Sequence, residues 1–242
     1  MITSLENPRV KDVLRLRKAR ERARSGLFVV EGPREVARAR EAGLVMRATY
    51  FAPALLHWDT GEEVDERVIR KMSYRAEPEG VLAVVEIPHR EIPGDATLIL
   101  VAVGVEKPGN LGAMARTADA AGADALLVAD GNCDPWNPNA IRASTGAVFT
   151  LSIVEASRAD VERLPQQKIA AVLGARTAHT DVDYTRPTAI LIGAEDDGLP
   201  DDYRALAEAQ VEIPLRGQTV DSLNASAAAA ILLYEAERQR RA

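Results

Sequence analysis

The chain is short of the residues that usually carry special chemistry. It has one cysteine, Cys133, among 242 residues. A single thiol rules out an intrachain disulfide and a cysteine-built zinc site, and it fits a reducing compartment. Histidine is nearly as scarce: only His57, His89 and His179 occur, none in a recognisable motif. A hydrolase triad built on Asp221 or Ser222 therefore has little support. Aromatics make up 4%, so Val, Ile, Leu and Ala must fill the core. No apolar run approaches the roughly 20 residues of a membrane-spanning helix. Residues 1–8 carry no apolar signal-peptide core. The expectation is a cytoplasmic protein without a membrane partner.

What is present is ordinary in bulk and uneven in detail. Hydrophobic residues at 47% and charged residues at 27% suit a globular chain whose core rests on packing. The length fits one large domain or two smaller ones at roughly 150 residues each. The net charge is −6, which by itself disfavours nucleic acid. Residues 9–24, however, hold eight basic side chains (Arg9, Lys11, Arg15, Arg17, Lys18, Arg20, Arg22, Arg24) against Asp12 and Glu21. That stripe suits a phosphate-binding surface and equally a solvated helix face.

Hydrophobic periodicity divides the chain in two. In residues 1–90 it predicts helices at 10–23, 34–42 and 64–71 and strands at 27–30, 45–51 and 81–85, a small α/β domain. Residues 88–95, with two prolines and a glycine, read as the linker. From residue 96 to 242, strand-like runs at 98–103, 125–129, 169–173, 189–192 and 211–213 alternate with helix-like runs at 111–121, 138–144, 201–207 and 222–241. Such alternation implies a parallel sheet covered by helices. The strands lack polar alternation, as expected when both faces are buried.

Three loops follow strands of the second domain, where open parallel sheets bind ligands. The first, residues 106–112, contains Gly109 and Gly112 and leads into a helix, with Asn110 placed to cap it and Arg116 six residues on. The second, residues 193–200, sets Glu195, Asp196 and Asp197 between two glycines; helix capping comes before Mg²⁺ binding for these acids. In the third, residues 213–226, Ser222 or Asn224 opens a long Ala-rich helix. No metal is expected.

Taken together, PGNLGAMARTADAAGAD, LIGAEDDGL and VEIPLRGQTVDSLNASAAAAILLYEAERQR resemble, in order and spacing, the three motifs of the SpoU (TrmH-type) RNA 2′-O-ribose methyltransferases of the SPOUT superfamily. Residues 134–138 and 141–147 resemble the intervening segment, and residues 2–8 and 28–32 the family's L30e-like substrate-binding domain. The resemblance implies a SPOUT domain with a deep trefoil knot, S-adenosylmethionine as cofactor, structured RNA as partner and a homodimer with its active site near the subunit interface. It places Gly193, Ile213 and Leu223 around the cofactor and gives catalytic positions to Asn110, Arg116, Glu195, Ser222 and Asn224. Ala225 and the pair Asp196–Asp197 depart from the common pattern.

On this reading Arg15, Lys18, Arg22, Arg24 and Arg142 contact RNA, and ribosomal RNA of the large subunit is the expected partner. Arg116 is the candidate for the proton step, although an arginine is a poor base; Glu195 is the rival base or the group that orients it. The alternatives are a transfer-RNA methyltransferase, a catalytically inactive RNA-binding protein of the same fold, and an unrelated nucleotide-binding enzyme.

Overall fold

A computed structural model describes residues 1–131, 133–217 and 219–242. Asn132, and Gln218 within the third motif loop, lie outside the described residues. The chain forms two compact units: residues 1–89 with 136–149, and residues 90–135 with 150–242.

The first unit begins with helices α1 (Pro8–Arg15) and α2 (Ala19–Ser25), where periodicity predicted one helix. Asn7 caps α1, accepting from the Arg9 amide at 2.9 Å, and Pro8 occupies the first turn. Val10, Val13 and Leu16 are buried. The helix stops at Leu16, and the Arg22 guanidinium, 1% exposed, donates to the Leu16 carbonyl at 2.7 Å. An orphaned carbonyl at a buried helix end needs such a donor, and a continuous helix would have carried Arg22 past it.

Next come β1 (Leu27–Glu31), α3 (Pro33–Glu41), β2 (Met46–Phe51), β3 (Glu62–Glu63), α4 (Glu66–Met72) and β4 (Val81–Glu86). The sheet order is β1-β4-β2-β3, with β4 antiparallel to both β1 and β2. Arg17 closes the end of α4 by donating to the carbonyls of Lys71 at 3.0 Å and Ser73 at 2.6 Å.

The second unit contains β5 (Leu98–Val103), α5 (Pro108–Ala120) and β6 (Ala125–Ala129). The next helix, α6 (Pro138–Ser144), was expected in this unit, but the structure assigns it to the first. The physical reason is aromatic: Phe28 of β1 meets Trp136 at 4.8 Å and Phe149 at 6.3 Å between ring centroids. Those two rings flank α6 and draw the whole excursion into the first core.

The second unit resumes with β7 (Ser152–Ala156), α7 (Arg158–Arg163), β8 (Gln167–Ala171), β9 (Thr177–Ala178), β10 (Thr188–Ile192), α8 (Asp201–Arg204), β11 (Ala209–Glu212) and α9 (Ala225–Arg241). Its strands are parallel in the order β7-β6-β5-β10-β8-β11-β9. Every residue of β5, β6 and β10 is buried, as continuous apolar strands require. Among the described residues no helix is long and apolar enough to cross a membrane.

Candidate active site

The strand order positions the site. β10 follows β8 in sequence but inserts between β5 and β8. The loops after the parallel neighbours β5 and β10 therefore emerge side by side, at the switch point where such sheets bind ligands. The first loop opens α5. The second, residues 193–200, is held by Gly193: a Cβ there would lie 2.2 Å from the Gly198 carbonyl group. Gly198 (φ +66°) closes the turn, its amide donating to the Ala194 carbonyl at 3.0 Å. Only glycine permits that approach. Glu195 sits in the resulting tight loop.

Glu195 is the hub of the site, with its side chain 18% exposed. Its carboxylate accepts from the Asn110 amide at 2.5 Å, from the Asn224 amide and from the Lys107 ammonium. Asn224 also donates to Asn110 Oδ1 at 3.3 Å, while its own Oδ1 accepts from the Ser226 amide at 2.9 Å and hydroxyl at 2.6 Å. Asn224 thus caps α9, as one of the two expected alternatives. Asn110 is not the cap of α5. That position falls to Lys107, and Asn110 turns its side chain to Glu195 instead.

The Lys107 hydrogen bond, followed by those from Asn110 and the Ala225 backbone, holds the Glu195 carboxyl below the ordinary carboxylate range against the opposing effect of burial. The N-terminus of α9 adds to this preference for negative charge. Glu195 in turn raises the Lys107 ammonium above its usual value. The arrangement therefore favours Glu195 as a carboxylate acceptor that orients two amides, and disfavours it as a general base. Lys107 was missed by sequence reasoning; its position three residues before Asn110, at the helix start, was the available signal.

A cavity of about 320 Å³ lies beside this hub, lined in part by Ile192, Gly193, Ile213, Leu215, Ser222 and Leu223. All three expected cofactor residues, and Ser222, thus line it. Asp196, Asp197 and Asp221 line it too. A smaller cleft of about 60 Å³, lined by Lys107 and Asn110, shares Glu195, Asp196, Asp197 and Ala225 with it. The donor set suits a sulfonium nucleoside: apolar side chains for a base, and carboxylates for an ammonium and a sulfonium.

Arg116 is not brought into this cluster. It is exposed on α5, six residues beyond Asn110, which at the helical rise is about 9 Å along the axis and on a different face. The basic stripe is also partly spent. Arg22 is buried and cannot face an external phosphate. Arg15 pairs with Asp12 at 2.9 Å and Arg24 with Glu21 at 2.7 Å, both at the surface, while Lys18 is exposed. Arg142 is exposed on α6 in the first unit, 3.4 Å from Asn139 Oδ1.

Comparison with known proteins agrees with this geometry. Residues 97–234 match the model of the SpoU rRNA Methylase family, and residues 7–83 that of the MRM3-like substrate binding domain. A 23S rRNA (uridine(2479)-2′-O)-methyltransferase of Streptomyces viridochromogenes is 35% identical over 91% of this chain and 85% of its own length. The crystal structure of an RNA 2′-O ribose methyltransferase superposes with a TM-score of 0.86 at 40% identity, covering 100% of this chain and 99% of the other. That of an AdoMet-bound rRNA methyltransferase from Sinorhizobium meliloti gives 0.88 at 30% identity, over 98% and 97%. Matched by the family model over more than half its length, and sharing its fold end to end with such enzymes, the chain belongs to the SpoU rRNA methylase family.

Proposed function

We propose that this chain methylates a ribose 2′-hydroxyl of structured RNA, using S-adenosylmethionine, and that its substrate is 23S ribosomal RNA. The observation that carries the reading is the convergence of Asn110, Glu195 and Asn224 beside the cavity lined by Gly193, Ile213 and Leu223. The 23S rRNA relative and the AdoMet-bound structural neighbour support the substrate and the cofactor. Kinship over the whole chain likewise supports the trefoil knot expected of the SPOUT domain.

When bound, the cofactor supplies a methyl group already activated by a positive sulfur. Gly193, Ile213 and Leu223 hold it, and Ser222 stands beside them. The chain's own task is alignment, which can supply about 7–11 kcal/mol of a barrier. The smaller cleft at Lys107 and Asn110 receives the acceptor ribose, and the amides fixed by Glu195 orient its hydroxyl. Arg116 binds the neighbouring phosphate, and an oxygen of that phosphate takes the proton as the hydroxyl oxygen bonds the methyl carbon and the carbon–sulfur bond breaks.

Because Arg116 lies on another face of α5, a homodimer belongs to this reading, with Arg116 delivered by a second copy. The half-exposed Tyr234 on α9, the helix packed against α5, supports an interface there. Lys18 contacts RNA from the first unit, and Arg15 and Arg24 do so by exchanging Asp12 and Glu21 for phosphates.

The test is transfer of tritiated methyl to 23S rRNA, followed by mapping of the 2′-O-methylated nucleotide. Absence of incorporation with S-adenosylmethionine bound would leave an inactive RNA-binding protein. Mixing inactive Arg116→Ala and Glu195→Ala chains should restore activity if subunits share the site; no recovery would return Arg116 to its own subunit.

A further inference from the structure

The first unit holds a second concavity that the methyl-transfer chemistry does not use. It is lined by Val29, Glu31, Glu35, Tyr74, Asn139 and Arg142, among others, and its enclosed space of about 20 Å³ makes it a shallow cleft. The carboxylates of its floor are engaged in hydrogen bonds or ion pairs. Glu31 accepts the backbone amides of Tyr74 at 2.5 Å and Arg75 at 3.3 Å, which fixes the loop that carries the ring. Glu35, 2% exposed, pairs with Arg34 at 2.6 Å.

The rim is different. Tyr74 is 46% exposed, a large aromatic ring left open to solvent. Its hydroxyl accepts from the Asn139 amide at 3.2 Å, and Asn139 Oδ1 accepts from Arg142 at 3.4 Å. These contacts line up an aromatic ring, an amide and a guanidinium from segments 65 residues apart.

We propose that this cleft is an RNA subsite in which an unpaired base stacks on Tyr74 while Arg142 meets its phosphate. The proposal rests on the RNA-methylating reading and deepens it by naming a place where the first unit grips the substrate. Single-stranded RNA is recognised by stacking on aromatic rings, with amides reading base edges and fixed cations meeting the backbone. Glu35 pairs with Arg34 and Arg75, and the Glu31 carboxylate is turned onto two backbone amides, so the exposed cation lining the cleft is Arg142.

The experiment measures binding of transcribed 23S rRNA across a salt series for the unaltered protein, Tyr74→Ala, Tyr74→Phe and Arg142→Ala, together with methyl transfer and S-adenosylmethionine affinity. Tyr74→Ala should weaken RNA binding by on the order of tenfold, and Tyr74→Phe should retain it, because the ring face is what matters. Arg142→Ala should lower the salt slope by about one phosphate contact. Cofactor affinity should not change, since the cleft lies in the other unit. If the unaltered protein methylates 23S rRNA and both alanine variants bind it equally well, the subsite is overturned while the proposed function stands. If the unaltered protein neither binds nor methylates that RNA, both readings fall together.

Discussion

Glu195 illustrates how one carboxylate fixes the geometry of a site. Three side-chain donors and the Ala225 amide surround it, and Lys107 contributes most to keeping it charged. A carboxyl held below its unfolded value stays ionised above that value, and its network is lost as pH falls through the depressed one. Lys107→Gln should therefore raise the pH at which Glu195 protonates. Carboxyl-carbon titration by NMR, with the Glu195 signal identified through Glu195→Gln, measures this; an unmoved midpoint would show that Lys107 is a bystander.

Arg22 calls for the opposite expectation from the one its place in a basic run suggests. Arg22→Met removes a buried, charged donor from the Leu16 carbonyl and should cost about 1–3 kcal/mol in urea denaturation. It should leave the salt slope of RNA binding unchanged. Both residues show the limit of reading side chains along a line. The charge of Arg22 was legible, but its burial depends on where α1 stops, and Lys107 acquires its partner only when a loop 88 residues away arrives beside it.

Elements were legible where burial is two-sided. β5, β6 and α6 fall where their sequences place them, because continuous apolar runs and an Asn–Pro helix start leave little choice. The edge strand β7, with only Ile153 buried, and the six-residue α7 escaped notice because their apolar signal is too sparse. The three motif loops were visible because each follows a strand, but their closure was not. Gly193→Ala forces a methyl group into the Gly198 carbonyl, so the turn must open. Cofactor affinity by calorimetry should fall by at least about tenfold, equivalent to ~1.4 kcal/mol. Gly94→Ala, whose Cβ meets nothing within 4 Å, is the control. Retained affinity in Gly193→Ala would mean that this loop does not shape the cavity.

At the scale of the molecule, the linker at residues 88–95 was visible as a boundary, and the return of residues 136–149 to the first unit was not. Local pattern makes α6 a helix but says nothing of its destination, which Trp136 and Phe149 settle by packing on Phe28. A fragment ending at residue 89 should therefore fold poorly: it exposes Phe28, which is fully buried in the intact chain. Adding a peptide spanning residues 136–149 should recover stability. Thermal melts of the fragment with and without the peptide decide this, and a fragment that melts cooperatively by itself would contradict it.

The boundary between the two bodies is crossed three times, near residues 89, 135 and 149. Genetic exchange at the linker alone would transplant the larger part of the first unit and strand its remaining helix in the recipient. The two halves of this enzyme are consequently poor candidates for shuffling as cassettes: inheritance must keep a stretch of the methylating half matched to the aromatic core of the other.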